Sequence, residues 1–410
     1  MQTETLNPKI LGERLQIERK ARGLTQQQIA NLLGVARTTI VAVEKGERIL
    51  QPEEIARLAE AWQVSISDLV RERPAIEPLA PQLRAAAPST GLSEKDRAGV
   101  GEAAETLRRL GENYLELERL VGRPMSQNYP PVYSLESMPP LEAAGDIAAR
   151  ERRRLDLGAA PIPYLRSVLE NEVGLRIFLL PMPSRLAGMF AFDVQLGGLI
   201  ALNASHPVER RLWTLAHEYY HFLCDRYRAD VYVLPGVAPR RLNESERLAD
   251  VFAAHFLMPT AGLKRRFYDL KAARVNGVMP GDLLHLKRQY GVSFQALTLR
   301  LEELKLVRSG TWDMLNKSGF REREAEAMAG LPPHGENEGR LPQRYLELAV
   351  EAYDRAELTE KQLAKMLGCD VIEARRIVRE LSREWVVSDE GRSGNLEIPL
   401  DLSLAEMAEA

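Results

Sequence analysis

The stretch "RRLWTLAHEYYHFLCDRY", residues 210–227, decides how the centre of this chain folds. It is an apolar, helix-compatible run that carries His217, Glu218 and His221. Residues four apart share one helical face, so both imidazoles can aim a ring nitrogen at a common metal ion. Glu218 stands beside them, within reach of a water on that metal without having to bind it. The spacing therefore offers two ligands and a general base. The plainer reading is a buried helix that happens to hold two histidines. The whole chain has 6 histidines, and two of them fall at this spacing. Burying His217, Glu218 and His221 unpaired is costly, whereas a metal and its water would satisfy all three.

A catalytic zinc needs one further protein ligand and an open position for water. "NESERLADVFAAHFLMP", residues 243–259, places Glu246 and Asp250 four apart on a second helix. Glu246 reads as the third ligand. Asp250 reads as the acceptor for the free N–H of a ligating histidine, a contact that fixes the ring's tautomer and direction. Glu244 competes with Glu246, but only Glu246 keeps the four-residue spacing to Asp250. Ala253 and Ala254 are small enough to let this helix close on the first. His255 reads as a surface or packing histidine, with polarisation of a substrate carbonyl as the alternative. Cys224 reads as a small buried hydrophobe. His206 and His285 read as loop or surface residues.

Ahead of the histidine helix, residues 141–155 and 164–172 have helical patterns. "LRIFLLPMP", "LAGMFAFDVQ" and "GLIALN" follow as short strands, with Gly197 and Gly198 as a tight turn. Helices, a small antiparallel sheet and further helices make a mixed α+β domain.

A second module stands near the N-terminus. "GLTQQQIANLLGVARTTIVAVEKGER", residues 23–48, reads as a helix-turn-helix. Thr25 can cap the helix Gln26–Leu33 with its side-chain oxygen. Gly34 supplies the positive φ that the turn requires. Ile29, Leu33, Val35, Ile40 and Val43 form the buried faces, and Ala30 lets the two helices approach. The second helix then presents Arg37, Thr38, Thr39 and Ala42 outward. Arg37 can pair with guanine, the threonines with phosphate or thymine methyls, and Gln26 with phosphate or adenine.

The remainder is spacing and charge. The chain has 410 residues, 45% hydrophobic and 28% charged, with a net charge of −3. That is a multidomain globular protein. Its slight acidity confines any DNA contact to a local face. No apolar run approaches the ~20 residues of a membrane span. The first residues lack a signal-peptide pattern, and two cysteines, Cys224 and Cys369, fit a reducing cytoplasm. Residues 73–91 are rich in proline and small residues and read as a linker. Residues 92–121 return to a helical period, with Leu107, Leu110, Tyr114, Leu117 and Val121 on one face and Ser93 with Asp96 as a capping box. "LTEKQLAKMLGCDVIEARRIVREL", residues 358–381, echoes the N-terminal pattern. Asp370 and Glu373 oppose a phosphate backbone there, which favours a protein partner over DNA, while Arg375 and Arg376 keep DNA open.

Two family resemblances follow from these motifs. "RKARGLTQQQIANLLGVARTTIVAVEKGER" with "LAEAWQVSISDLV" resembles the XRE (Cro/phage-repressor-like) helix-turn-helix family over residues 11–70. Gln26, Arg37, Thr38, Thr39 and Ala42 occupy that family's DNA-facing positions. "GGLIALNASHPVERRLWTLAHEYYHFLCD" with "ESERLADVFAAHFLMP" resembles the gluzincin-like ImmA/IrrE metallopeptidases over residues 141–304. The resemblance implies zinc held by His217, His221 and Glu246, with Mn2+ possible in its place, and Glu218 as the base. It implies cleavage of a partner repressor that controls stress or mobile-element genes.

Three departures from the family stand out. Tyr219 and Tyr220 replace small or aliphatic residues and could narrow the cleft. Asp250 stands where the family has asparagine. Cys224 and Asp225 stand where the family often has a histidine.

The expected architecture is mainly α and multidomain. Residues 1–73 form a five-helix DNA-binding domain, 74–91 a linker, and 92–130 a helical connector. Residues 131–309 form the zincin-like domain with its small antiparallel sheet. Residues 310–410 form a helical, helix-turn-helix-like, partner-binding segment. Reading two DNA half-sites calls for a homodimer. The competing reading is a cytoplasmic transcriptional regulator whose peptidase-like domain senses a ligand or partner without turnover. The intact Glu218 favours the enzyme and the tyrosine pair the regulator.

Overall fold

The N-terminal module is built as the capping residues dictate. Helices α1 (Pro8–Ala21), α2 (Gln26–Leu33), α3 (Arg37–Glu44) and α4 (Pro52–Trp62) surround Leu15, Ile29, Ala30, Leu33, Ile40, Val43 and Leu58. The Thr25 hydroxyl accepts from the Gln28 amide, and the Gln28 side chain returns the bond to the Thr25 amide. Gly34 ends α2 at φ +72, a conformation that costs glycine little. A buried ion pair, Arg19 Nε to Glu44 at 2.6 Å, fastens α1 to α3.

The computed structural model describes residues 8–21, 24–62, 94–135, 138–227, 232–235, 244–275, 277–332, 339–381, 386–387 and 393–394. The expected fifth helix, the 74–91 linker and the Ser93 cap lie outside them. The chain divides into two compact units, Met1–Glu112 with Ser126–Arg340, and Asn113–Met125 with Leu341–Ala410. Helix α5 (Glu94–Val121) begins in the first unit and ends in the second. Its stripe from Leu107 to Val121 is buried, as the period requires.

In the first unit the chain continues through α6 (Pro140–Arg154) and α7 (Leu165–Val168), which runs on as a π turn, Leu169–Val173. Then come β1 (Arg176–Leu180), β2 (Leu186–Asp193), β3 (Gly197–Asn203), α8 (Val208–Asp225) and β4 (Tyr232–Pro235). Helices α9 (Glu244–Leu257), α10 (Thr260–Ala272), α11 (Pro280–Tyr290), α12 (Phe294–Glu303), α13 (Thr311–Lys317) and α14 (Glu322–Met328) complete it.

The sheet has the order β1-β3-β2-β4. It is mixed, and this corrects the expectation of a wholly antiparallel sheet. β1 runs parallel to β3, with Ile177 opposite Ile200, while β2 is antiparallel to both its neighbours. The physical reason is an intervening strand: β2 separates β1 from β3 in sequence, so the β1 to β3 connection is a crossover. The turn also shifts. Gly197 and Gly198 belong to β3, and Asp193 Oδ1 builds the preceding turn by accepting the Gln195 and Leu196 amides at 2.7 and 2.9 Å.

The sheet, α6, α8 and α9 share one core, with Phe190, Ile200, Phe222, Phe252 and Phe256 at its centre. Residues 311–331 belong to this core as well, so the expected boundary at residue 309 moves to Arg340. Phe320 packs on Phe294 with ring centroids 4.4 Å apart, and buried Lys287 reaches Glu322 at 2.7 Å.

In the second unit α15 (Gln343–Asp354), α16 (Glu360–Leu367) and α17 (Val371–Leu381) precede a short hairpin, β5 (Val386–Val387) with β6 (Ser393–Gly394). Thr359, Gln362 and Gly368 repeat the capping box and left-handed stop of Thr25, Gln28 and Gly34 at the same intervals. Tyr345 anchors the unit. Its ring meets Tyr114 edge-on at 5.3 Å and its hydroxyl donates to the Met366 carbonyl at 2.9 Å. No helix among the described residues is long and apolar enough to cross a membrane.

Candidate functional site

Helix α8 starts directly after Pro207, whose ring suits the entry to a helix, and its first turn is held by Arg211, which donates to the His206 carbonyl at 3.1 Å. Leu215, Tyr219 and Phe222 face the core, which carries His217, Glu218 and His221 into the interior with them. The sheet approaches this helix at Gly188. A Cβ there would lie 2.5 Å from Thr214 Cγ2 and 3.2 Å from Glu218 Oε1, so only glycine fits.

His217, His221 and Glu246 come together, their donor atoms all lying within 4.8 Å of one another. The two Nε2 atoms are 3.3 Å apart, and Glu246 Oε2 is 3.2 Å from that of His217. Each Nδ1 has a carboxylate: Asp250 Oδ1 at 3.1 Å for His217 and Asp225 Oδ2 at 3.2 Å for His221. Imidazoles that give Nδ1–H to carboxylates turn bare Nε2 lone pairs towards each other and towards the Glu246 carboxylate. In a fully buried site that arrangement is repulsive until a cation joins it.

Without a metal, a proton on His217 supplies that positive charge. Burial works against a charge on His217, yet its hydrogen bonds to Asp250 and Glu246 push it up to about 10. Burial would raise Glu246, but hydrogen bonds from His217 and His221 hold it far below the carboxylate range. Burial pushes Glu218 up to about 7 against the pull of the two histidines. Both Glu218 oxygens are buried with no hydrogen-bond partner among the described residues. An orphaned carboxylate beside three converging donors needs a polar occupant. These residues fit a zinc ion with a water.

Asp250 Oδ1 also accepts from Trp213 Nε1 at 3.2 Å. Asp225 was not singled out for this part, although it stands four residues after His221 as Asp250 stands four after Glu246. Ser245 donates to the same Asp225 oxygen at 2.9 Å. The expectation that Tyr219 and Tyr220 narrow a cleft is corrected. Both are core residues, the first donating its hydroxyl to fully buried Glu151 and the second packing against Phe252. His255 stands beside Arg300 at 2.8 Å and against Gly145. His206 lies in the loop before α8, as one of its two readings has it, and is buried there with its Nε2 3.0 Å from the Ser184 carbonyl oxygen.

On the N-terminal module Arg37 and Thr38 are exposed, whereas Thr39, Ala42 and Gln26 are half-buried. Gln26 donates to Glu44 at 2.9 Å and accepts from Arg37 at 3.4 Å, which ties the start of α2 to both ends of α3.

Two family models match parts of the chain. Residues 15–69 match the model described as helix-turn-helix, and residues 170–302 match the model described as IrrE N-terminal-like domain, of the peptidase M78 type. No curated protein matches the chain. A solved structure, ComR from Streptococcus suis, aligns over 92% of this chain and 94% of that one at 11% identity, with a TM-score of 0.15. A superposition at that score bears no weight. The paired matches support a DNA-binding regulator with a protease-type domain: the chain carries a helix-turn-helix over residues 15–69 and a domain similar to the IrrE N-terminal-like type over residues 170–302.

Proposed function

We propose that this protein is a DNA-binding zinc endopeptidase that cleaves a partner transcriptional repressor and so controls stress or mobile-element genes. The observation that carries the reading is the convergence of two carboxylate-backed histidines and Glu246 beside the unpartnered carboxylate of Glu218. His217, His221 and Glu246 would hold the metal, with manganese able to replace zinc, and Asp250 and Asp225 would set the rings. When bound, the metal supplies a Lewis acid that acidifies a water and polarises a peptide carbonyl.

Glu218 does the proton work. One of its oxygens takes the proton of the attacking water and then returns it to the leaving nitrogen. Burial lifts the Glu218 carboxyl above the ordinary carboxylate range, which suits a group that must both take and return a proton. The burial of His217, Glu218 and His221 strengthens each of these electrostatic contacts.

The N-terminal module would hold the protein on double-stranded DNA through Gln26, Arg37, Thr38, Thr39 and Ala42, with a homodimer spanning two half-sites. A regulator that senses without turnover has lost its supporting observation, because Tyr219 and Tyr220 lie in the core. The deciding experiment incubates the repressor encoded beside this protein with the wild type and with Glu218→Gln. Both proteins should hold stoichiometric zinc, and fragments should form in a zinc-dependent way. The variant should be about 10²- to 10⁴-fold slower. A purified wild type that takes up no divalent metal would overturn the reading.

A further inference from the structure

Beside the metal centre lies a groove of about 910 Å3, within the range of ligand sites. Trp213 and Asp250 line it, and Asp250 is the carboxylate that holds His217. On one wall Glu209, Glu322 and Glu326 converge on the fully buried Lys287 ammonium at 3.1, 2.7 and 2.5 Å. Three carboxylates against one ammonium leave a net charge of −2 in a wall largely shielded from solvent. The exposed rim cations Arg210, Arg321 and Arg323 are screened and offset it weakly.

A second observation is independent of this charge. Arg300 lines the same groove with its side chain 1% exposed. Its Nη atoms are tied to His255, Thr260 and Glu303, while its Nε has no partner among the described residues. A buried N–H of this kind calls for an acceptor. One ligand satisfies both features if it brings a cation to the carboxylates and a carbonyl to Arg300. That is the chemistry of a lysyl or arginyl residue within a peptide chain.

We propose that the groove is an exosite that takes a basic segment of the substrate polypeptide and seats it beside α8. The inference rests on the peptidase reading for its substrate, but its test needs no turnover. Fluorescein-labelled polyalanine peptides carrying one central arginine or one citrulline are titrated into full-length Glu218→Gln protein and followed by anisotropy. The arginine peptide should bind at least about tenfold tighter. Adding Glu322→Gln and Glu326→Gln should shrink that preference to about twofold. Those changes alter the surroundings of Lys287, so Ala296→Trp, which fills the groove and leaves the carboxylates in place, serves as the second variant and should abolish binding of both peptides. Equal affinity for the two peptides, or a preference that survives both variants, overturns the exosite. A preference that behaves as expected while no repressor is cleaved supports the exosite and removes the peptidase reading alone.

Discussion

Asp225→Ala should weaken zinc binding more than Asp250→Ala, although the two carboxylates make matching contacts with matching histidines. Asp225 Oδ2 and Asp250 Oδ1 lie 3.2 and 3.1 Å from their Nδ1 atoms, so geometry does not separate them. Solvent does: the Asp225 side chain is 4% exposed and that of Asp250 41%. Removing Asp225 takes its carboxylate acceptor from a buried His221 N–H, a loss of about 1–3 kcal/mol, or about 5- to 150-fold in affinity. Water can replace much of what Asp250 provides. Carboxylates that orient metal-bound histidines are worth about 10- to 100-fold in affinity. We therefore expect about 100-fold for Asp225→Ala and about 10-fold for Asp250→Ala. Competition against a chromophoric chelator at neutral pH measures both, with circular dichroism confirming the fold. Equal losses, or wild-type affinity in Asp225→Ala, would refute the argument that burial sets the value of these contacts.

Three further outcomes are expected. Gly188→Ala should retain zinc but cut peptide cleavage by about 10²-fold, because its methyl collides with Thr214 Cγ2 and crowds Glu218; Thr214→Ser in the same protein should restore most of the rate. The metal-free protein should lose stability as pH rises. His217 is raised in the folded state from its ordinary 6.5 to about 10, so its contribution is complete below about 6.5 and lost on approach to about 10. Urea midpoints should therefore fall between about pH 6 and about pH 9. Arg37→Ala should weaken binding to a selected operator duplex by about 1–3 kcal/mol in a gel-shift titration, with an unchanged melting temperature, since Arg37 is exposed.

Much of this was legible from the chain alone because it is local. The four-residue spacing of His217 and His221, and of Glu246 and Asp250, already places each pair on one helical face. Thr25, Gln28 and Gly34, with their counterparts Thr359, Gln362 and Gly368, mark helix ends by hydrogen bonds that reach three or four residues. Tertiary structure decided what depends on distant partners. The crossover that makes the sheet mixed and the burial of Tyr219 against Glu151 are settled by packing between elements far apart in sequence. So are the joining of residues 311–331 to the central core and the Glu209–Glu322–Glu326 wall. Asp225 lies between these cases. Its spacing was readable, but whether its carboxylate meets His221 or water depends on a buried environment that Ser245 and α9 complete. A helix period states which residues share a face; only the assembled core determines which face is deprived of water, and with it which carboxylates and imidazoles must satisfy one another.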